Sequence, residues 1–212
     1  MSGAAHAGTG RREPLFLLVA GVLALVWSAV APHDRLTWWL DVSPTMLAAA
    51  ILIATWRRFP LSDLACRLIF LHAIVLMIGA HYTYAKVPAG FWVQDALGLA
   101  RNHYDRLGHF MQGFAPAIIV REILLRCSPL RPGKWLFAIG TVFCLAISAF
   151  YELIEWWVAI VGKAEAEAFL ATQGDAWDTQ WDMFMALVGA LAAALLLSRA
   201  HDRALERLAS RR

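Results

Sequence analysis

Residues 135–161 read WLFAIGTVFCLAISAFYELIEWWVAIV, an apolar run whose only charges, Glu152 and Glu155, fall in its second half. About 20 predominantly apolar residues suffice to cross a hydrocarbon core, so this run predicts a transmembrane helix. Runs of the same kind recur at 14–31, 36–56, 64–85 and 107–125 before it and at 183–199 after it. The second is weakened by Asp41 and Pro44, and the fourth by His109, Gln112, Arg121 and Glu122. The chain is therefore expected to be an all-α membrane protein, a bundle of about six transmembrane helices. A single domain, 14–199, stands between a short N-terminal tail, 1–13, and a basic C-terminal tail, 200–212.

Composition agrees with that reading. Of the 212 residues 60% are hydrophobic and 17% charged, and the mean hydropathy is +0.56. A soluble domain of this length has no use for so much apolar surface, and the excess must face lipid. The net charge of +3 and the pI near 9.0 do not point to nucleic acid, because the basic residues sit in short loops beside apolar runs, where they set topology. Arg11 and Arg12 precede the first run, which ends Ala29-Val30-Ala31 in imitation of a signal-peptidase site. Pro32 should block cleavage there, and the run is longer than a signal core, so it is read as a retained span. Cys66, Cys127 and Cys144 form no C-x-x-C pair, and a structural disulfide is not expected.

Orientation follows from the basic residues. In a six-span arrangement 14 of the 19 Lys and Arg fall on the side of the two termini, which the positive-inside rule assigns to the cytoplasm. Residues 87–104 mix Phe91, Trp92, Leu97 and Leu99 with Gln94, Asp95 and Arg101, which suits either an interfacial amphipathic helix or a plain loop on the other side. A polar connection at 163–179 carries Trp177 and Trp181, residues at home in the membrane interface.

The polar residues gather at the outer ends of the last four spans. Asp105 and His109 are spaced i, i+4, with Gln112 one turn on; Glu152 and Glu155 are spaced i, i+3; Asp178 and Asp182 are spaced i, i+4. His81 and Tyr82 close the third span at the same depth. Five carboxylates in one low-dielectric pocket cannot all carry charge without compensation. Arg106 and a protonated His109 would supply it, some of the acids would stay protonated, or a cation would bind. The oxygen-rich donor set at Asp105, His109, Glu152, Glu155 and Asp182 would suit Mg²⁺, Mn²⁺ or Ca²⁺, with a His/carboxylate Zn²⁺ site as an alternative. His109, Glu152, Glu155 and Asp182 are the candidate catalytic groups. Asp105, Arg106, Gln112, Asp178, His81 and Tyr82 are expected to line the pocket. Asp105 and Asp178 would equally serve as helix N-caps.

Several motifs in order carry a resemblance: RNHYDRLGHF at 101–110, QGF at 112–114, SAFYELIEW at 148–156 and QGDAWDTQWDM at 173–183, with GAHYTY at 79–84 and REIL at 121–124. Over roughly residues 32–193 they resemble the YjdF-type family of bacterial inner-membrane proteins. A looser pattern, Asp105-Arg106-x-x-His109, then Glu152-x-x-Glu155, then Asp182 seven residues before Gly189, is similar to VanZ-like membrane proteins, which are associated with cell-envelope physiology. The resemblance implies an inner-membrane bundle with one polar site and supplies no reaction.

Three function classes stay open on the sequence. One is an enzyme or binding protein acting on an envelope lipid or small molecule, with a carboxylate or His109 as general base; no G-x-S-x-G nucleophile motif is present. The others are an ion- or proton-coupled transporter and a structural or assembly factor of the envelope. Membrane lipids are the partners expected in every case.

Overall fold

The computed structural model describes residues 12–162 and 167–211. They form helices α1 (Arg12–Ala29), α2 (Arg35–Thr55), α3 (Asp63–Tyr82), α4 (Pro88–Leu97), α5 (Tyr104–Cys127), α6 (Lys134–Gly162), α7 (Glu167–Leu170) and α8 (Asp178–Ala209), with a 3₁₀ turn at Tyr84–Lys86 before α4. The chain punctuates them locally. Asp34 and Ser62 accept from the amides of Thr37 and Ala65 and so start α2 and α3. Pro88 stands in the first turn of α4, where its missing N–H costs nothing, and Gly98, at φ +64°, ends that helix in the left-handed conformation. Residues 87–104, whose sequence fits a helix or a loop, thus hold a ten-residue helix. Its Phe91, Trp92, Val93 and Leu97 are exposed.

Among the described residues five helices, α1, α2, α3, α6 and α8, are long and apolar enough to cross a membrane. Their exposed large side chains, among them Phe16, Leu23, Ile51, Phe143, Leu195 and Leu196, form an outer apolar surface, as lipid-facing helices require. The sixth long helix, α5, spans 24 residues but carries Asp105, Arg106, Arg121, Glu122 and Arg126. It is placed accordingly, in the middle, packed against α3, α6 and α8. Lipid cannot solvate those charges, so the apolar helices shield them and supply their partners.

Two glycines let α5 and α8 approach each other. A Cβ at Gly113 would come within 1.8 Å of the Ala186 carbonyl oxygen, and one at Gly189 within 2.0 Å of the Phe110 carbonyl oxygen. Such close backbone approach is the usual role of small residues at membrane helix crossings. The last helix also outruns its hydropathy. The apolar run stops at 199, whereas α8 continues to Ala209, and His201 in the stretch read as a tail is fully buried.

The bundle has two ends. At the termini end Glu13 pairs with Arg67, and Asp63 pairs with Arg211 at 3.0 Å. The site end holds α4, α7 and the first turns of α5 and α8.

Candidate acid-histidine centre

His109 lies one turn into α5 and is the hub of the site. Its Nδ1 is 3.0 Å from Gln112 Oε1, on the next turn of the same helix. With that oxygen as acceptor, Nδ1 carries the ring hydrogen and Nε2 presents its lone pair. Nε2 looks toward Asp105 Oδ1 at 3.7 Å and Asp182 Oδ2 at 4.0 Å, while Glu152 Oε1 is 3.7 Å from Nδ1. The His109, Asp105, Glu152 and Asp182 side chains are all buried, and Glu155 is partly buried.

Two sets of donor atoms lie mutually within 4.8 Å: Asp105, His109 and Asp182, and His109, Glu152 and Glu155. Ligands that share a metal ion at about 2.0–2.2 Å are themselves roughly 3–4 Å apart, which is the spacing found around Nε2. Glu152 Oε1 and Asp182 Oδ1 are buried and lack any hydrogen-bond partner among the described residues. A ring nitrogen facing two carboxylates, with buried oxygens left over, is an arrangement that a positive charge would complete, whether on the ring itself or as a bound cation.

A shell of ion pairs closes this end. Arg101 donates from Nη1 to Asp178 Oδ1 at 2.7 Å and to Asp175 Oδ2 at 3.3 Å, and from Nη2 to the Ala171 carbonyl. Arg106 donates to Asp175 Oδ2 at 2.7 Å, and its guanidinium lies 5.0 Å from the centroid of the Trp181 ring. The Asn102 amide donates to Gln173 Oε1, and Gln173 Nε2 donates back to the Asn102 carbonyl. The connection before α5 is thereby stapled to the one before α8. Asp175 is held below its ordinary carboxylate range, first by the Trp177 amide that donates to it and then by the Arg106 and Arg101 charges. The His103 imidazole is pushed down by burial and by the neighbouring Arg106 and Arg101.

Neither Asp105 nor Asp178 caps its helix. His103 and Trp177 occupy the N-cap positions, without side-chain caps, and the two aspartates sit just inside, facing His109 and Arg101. Of the residues expected to line the pocket, Gln112 touches the hub, and Arg106 and Asp178 belong to the shell. His81 and Tyr82 lie apart, toward α1: the His81 ring stacks on Trp27, its Nδ1 meets the Ser28 carbonyl at 3.1 Å, and Tyr82 packs edge-on against both rings. The 163–166 part of the polar connection lies outside the described residues.

The structure adds a residue that the sequence reading treated only as a flaw in an apolar run. Asp41 of α2 is buried with Oδ2 unpartnered, within electrostatic range of Asp105 and Glu155. An acid inside a span was the signal that marked it. A second polar network, at the termini end, also escaped notice. Glu122, fully buried, accepts from the Ser62 amide and hydroxyl, from His201 Nε2 at 3.1 Å and from Arg126 at 2.6 Å. Arg121 meets His201 Nδ1 at 2.8 Å and donates to Asp202 at 2.7 Å.

No solved structure matches this chain. The "Inner membrane protein YjdF" of Escherichia coli (strain K12) is 51% identical to it over 198 residues, covering 92% of this chain and 95% of the relative. The pattern of the family described as "Predicted membrane protein (DUF2238)" matches residues 13–203, and the chain belongs to this family of multi-pass inner-membrane proteins.

Proposed function

We propose that the Asp105–His109–Asp182 centre, with Glu152 and Glu155 beside it, binds a divalent cation and uses it to hold or modify the polar part of an envelope lipid or small molecule. The observation that carries this reading is the His109 ring: its Nε2 faces two carboxylates at 3.7 and 4.0 Å, and buried oxygens of Glu152 and Asp182 stand unpartnered around it. Burying acids costs several kcal/mol each unless charge or hydrogen bonds compensate, and a cation removes that cost for several at once. Bound there, it would polarise a phosphoryl or carbonyl oxygen, with Glu152 or Glu155 placed to take a proton. The basic-residue asymmetry supports an outward-facing centre on the periplasmic side.

Elemental analysis of the purified protein and thermal unfolding with Mg²⁺, Mn²⁺, Ca²⁺ or Zn²⁺ test the proposal. One of these ions should be bound and should raise Tm, and His109→Gln, Glu152→Gln, Glu155→Gln and Asp182→Asn should each fold, insert and lose that response. Absence of metal together with absence of any shift would sink it. A second reading, proton or ion coupling across the membrane, is favoured by Asp41, a further buried acid within electrostatic range of Asp105. Proton flux in proteoliposomes that vanishes in Asp41→Asn, with no metal bound, would favour that reading instead.

A further inference from the structure

A crevice of about 180 Å³ opens between α5, α6 and α8 toward the termini end, away from the acid-histidine centre. Its walls are mostly small or apolar, with Ala117, Leu136, Gly140, Ala190 and Ala194 among them. The chain's own side chains do not fill it. Gly140 is buried, yet a Cβ there would meet nothing within 4 Å. The adjacent Thr141 lines the crevice with Oγ1 buried and unpartnered.

Along α8 the crevice runs from Ala190 to Asp202, twelve residues or about 18 Å of helix. One leaflet of a bilayer contributes about 15 Å of hydrocarbon, so the crevice has the length of an acyl chain. Its mouth is basic. Pro132 and Gly133 line it, and the exposed Arg131 and Lys134 flank them. Arg121 lines it too, and the acid among the lining residues, Asp202, is already paired with Arg121 at 2.7 Å. Basic crevices between transmembrane helices suit anionic head groups.

We propose that this crevice is a binding site for an anionic phospholipid, its acyl chain along Gly140, Ala190 and Ala194 and its phosphate at Arg131 and Lys134. The basic pair selects charge and the groove selects a chain, so phosphatidylglycerol binds where phosphatidylcholine does not. The site is independent of the metal centre, with which it shares no residue.

Delipidated protein in a zwitterionic detergent, titrated with phosphatidylglycerol or phosphatidylcholine and followed by native mass spectrometry and thermal unfolding, tests it. Wild type should retain phosphatidylglycerol and be stabilised by it, with phosphatidylcholine weaker by about tenfold. Gly140→Leu enters open space, so the variant folds, fills the groove and loses the retained lipid; Gly140→Ala, one methyl, keeps it. Arg131→Gln with Lys134→Gln should bring the two lipids to equal, weak binding. Equal retention of both lipids by wild type would overturn the proposal, as would an unaltered phosphatidylglycerol response in Gly140→Leu. A change of mass from dimer to monomer in Gly140→Leu would also overturn it and make the crevice an interface between copies.

Discussion

Gly113→Ala offers a direct test of how the acid-histidine centre is held. In a helix the change from glycine to alanine ordinarily stabilises by up to about 1 kcal/mol. Here the new methyl would meet the Ala186 carbonyl oxygen at 1.8 Å, and relief to even 3.0 Å requires α5 and α8 to part by more than 1 Å. The opposing atom is backbone and cannot swing away, so overpacking, at about 1–3 kcal/mol, outweighs the gain in propensity. Gly189→Ala meets the Phe110 carbonyl oxygen and should behave alike. The two contacts belong to one crossing, so a single separation relieves both. The double variant should therefore cost less than the sum of the single ones. Gly113 is one turn beyond His109, and Gly189 two turns beyond Asp182. Parting the helices takes His109 Nε2 and Asp182 Oδ2 from 4.0 Å to about 5 Å, too wide for one ion bound at about 2 Å to each. Thermal unfolding with and without added divalent cation reads both effects, a lowered Tm and a lost cation shift. Gly140→Ala, which enters open space, is the control and should be neutral or stabilising. A Gly113→Ala protein with wild-type Tm and full cation response would refute the account of the crossing.

Glu122→Ala should cost about 3–5 kcal/mol, because it strands His201 and Arg126 around a buried vacancy, whereas Arg67→Ala, which breaks an exposed pair with Glu13, should cost less than about 1 kcal/mol; unfolding in detergent compares the two. Asp175 has a lowered pKa in the folded chain, so its contribution to the clamp over the site end is complete above its unfolded value, about 3.9, and is lost as pH falls through the lower folded value. Hydrogen exchange at residues 171–177 should therefore be unchanged from neutral pH down to about 4 and accelerate, beyond its intrinsic pH dependence, only below that. An alkaline-phosphatase fusion after Arg212 should be inactive and one within residues 98–103 active; the reverse pattern would invert the orientation of the whole site.

The helices were legible where one physical rule dominated. Apolar length marked α1, α2, α3, α6 and α8. The i, i+4 and i, i+3 spacings placed Asp105, His109, Glu152, Glu155 and Asp182 on faces that do converge. Hydropathy described α5 poorly, because a helix whose charges are met by neighbours need not be apolar, and the neighbours are visible only in the fold. Asp41 was missed for the opposite reason: on its own helix it is a lone polar interruption, and only the fold brings it within electrostatic range of Asp105 and Glu155. His81 and Tyr82 have the right depth for the pocket but the wrong rotation, since their helix turns them toward Trp27 of α1. The Glu122–His201 contact joins residues 79 apart in sequence, and no spacing rule spans that distance.

The position of α5 also bears on the order in which the protein can be made. A helix with this many charges does not partition into lipid alone, and the groups that satisfy it come from elsewhere: Ser62 from the start of α3, and His201, Asp202 and Asp182 from α8. During synthesis α8 leaves the ribosome well after α5, so α5 must wait, sheltered by α3 or by the insertion machinery, for partners made about 80 residues later. Helix α8 thus completes the surroundings of α5. A chain stopped before Asp178 leaves α5 unaccommodated and exposes it to membrane quality control, although most of its spans have already been made.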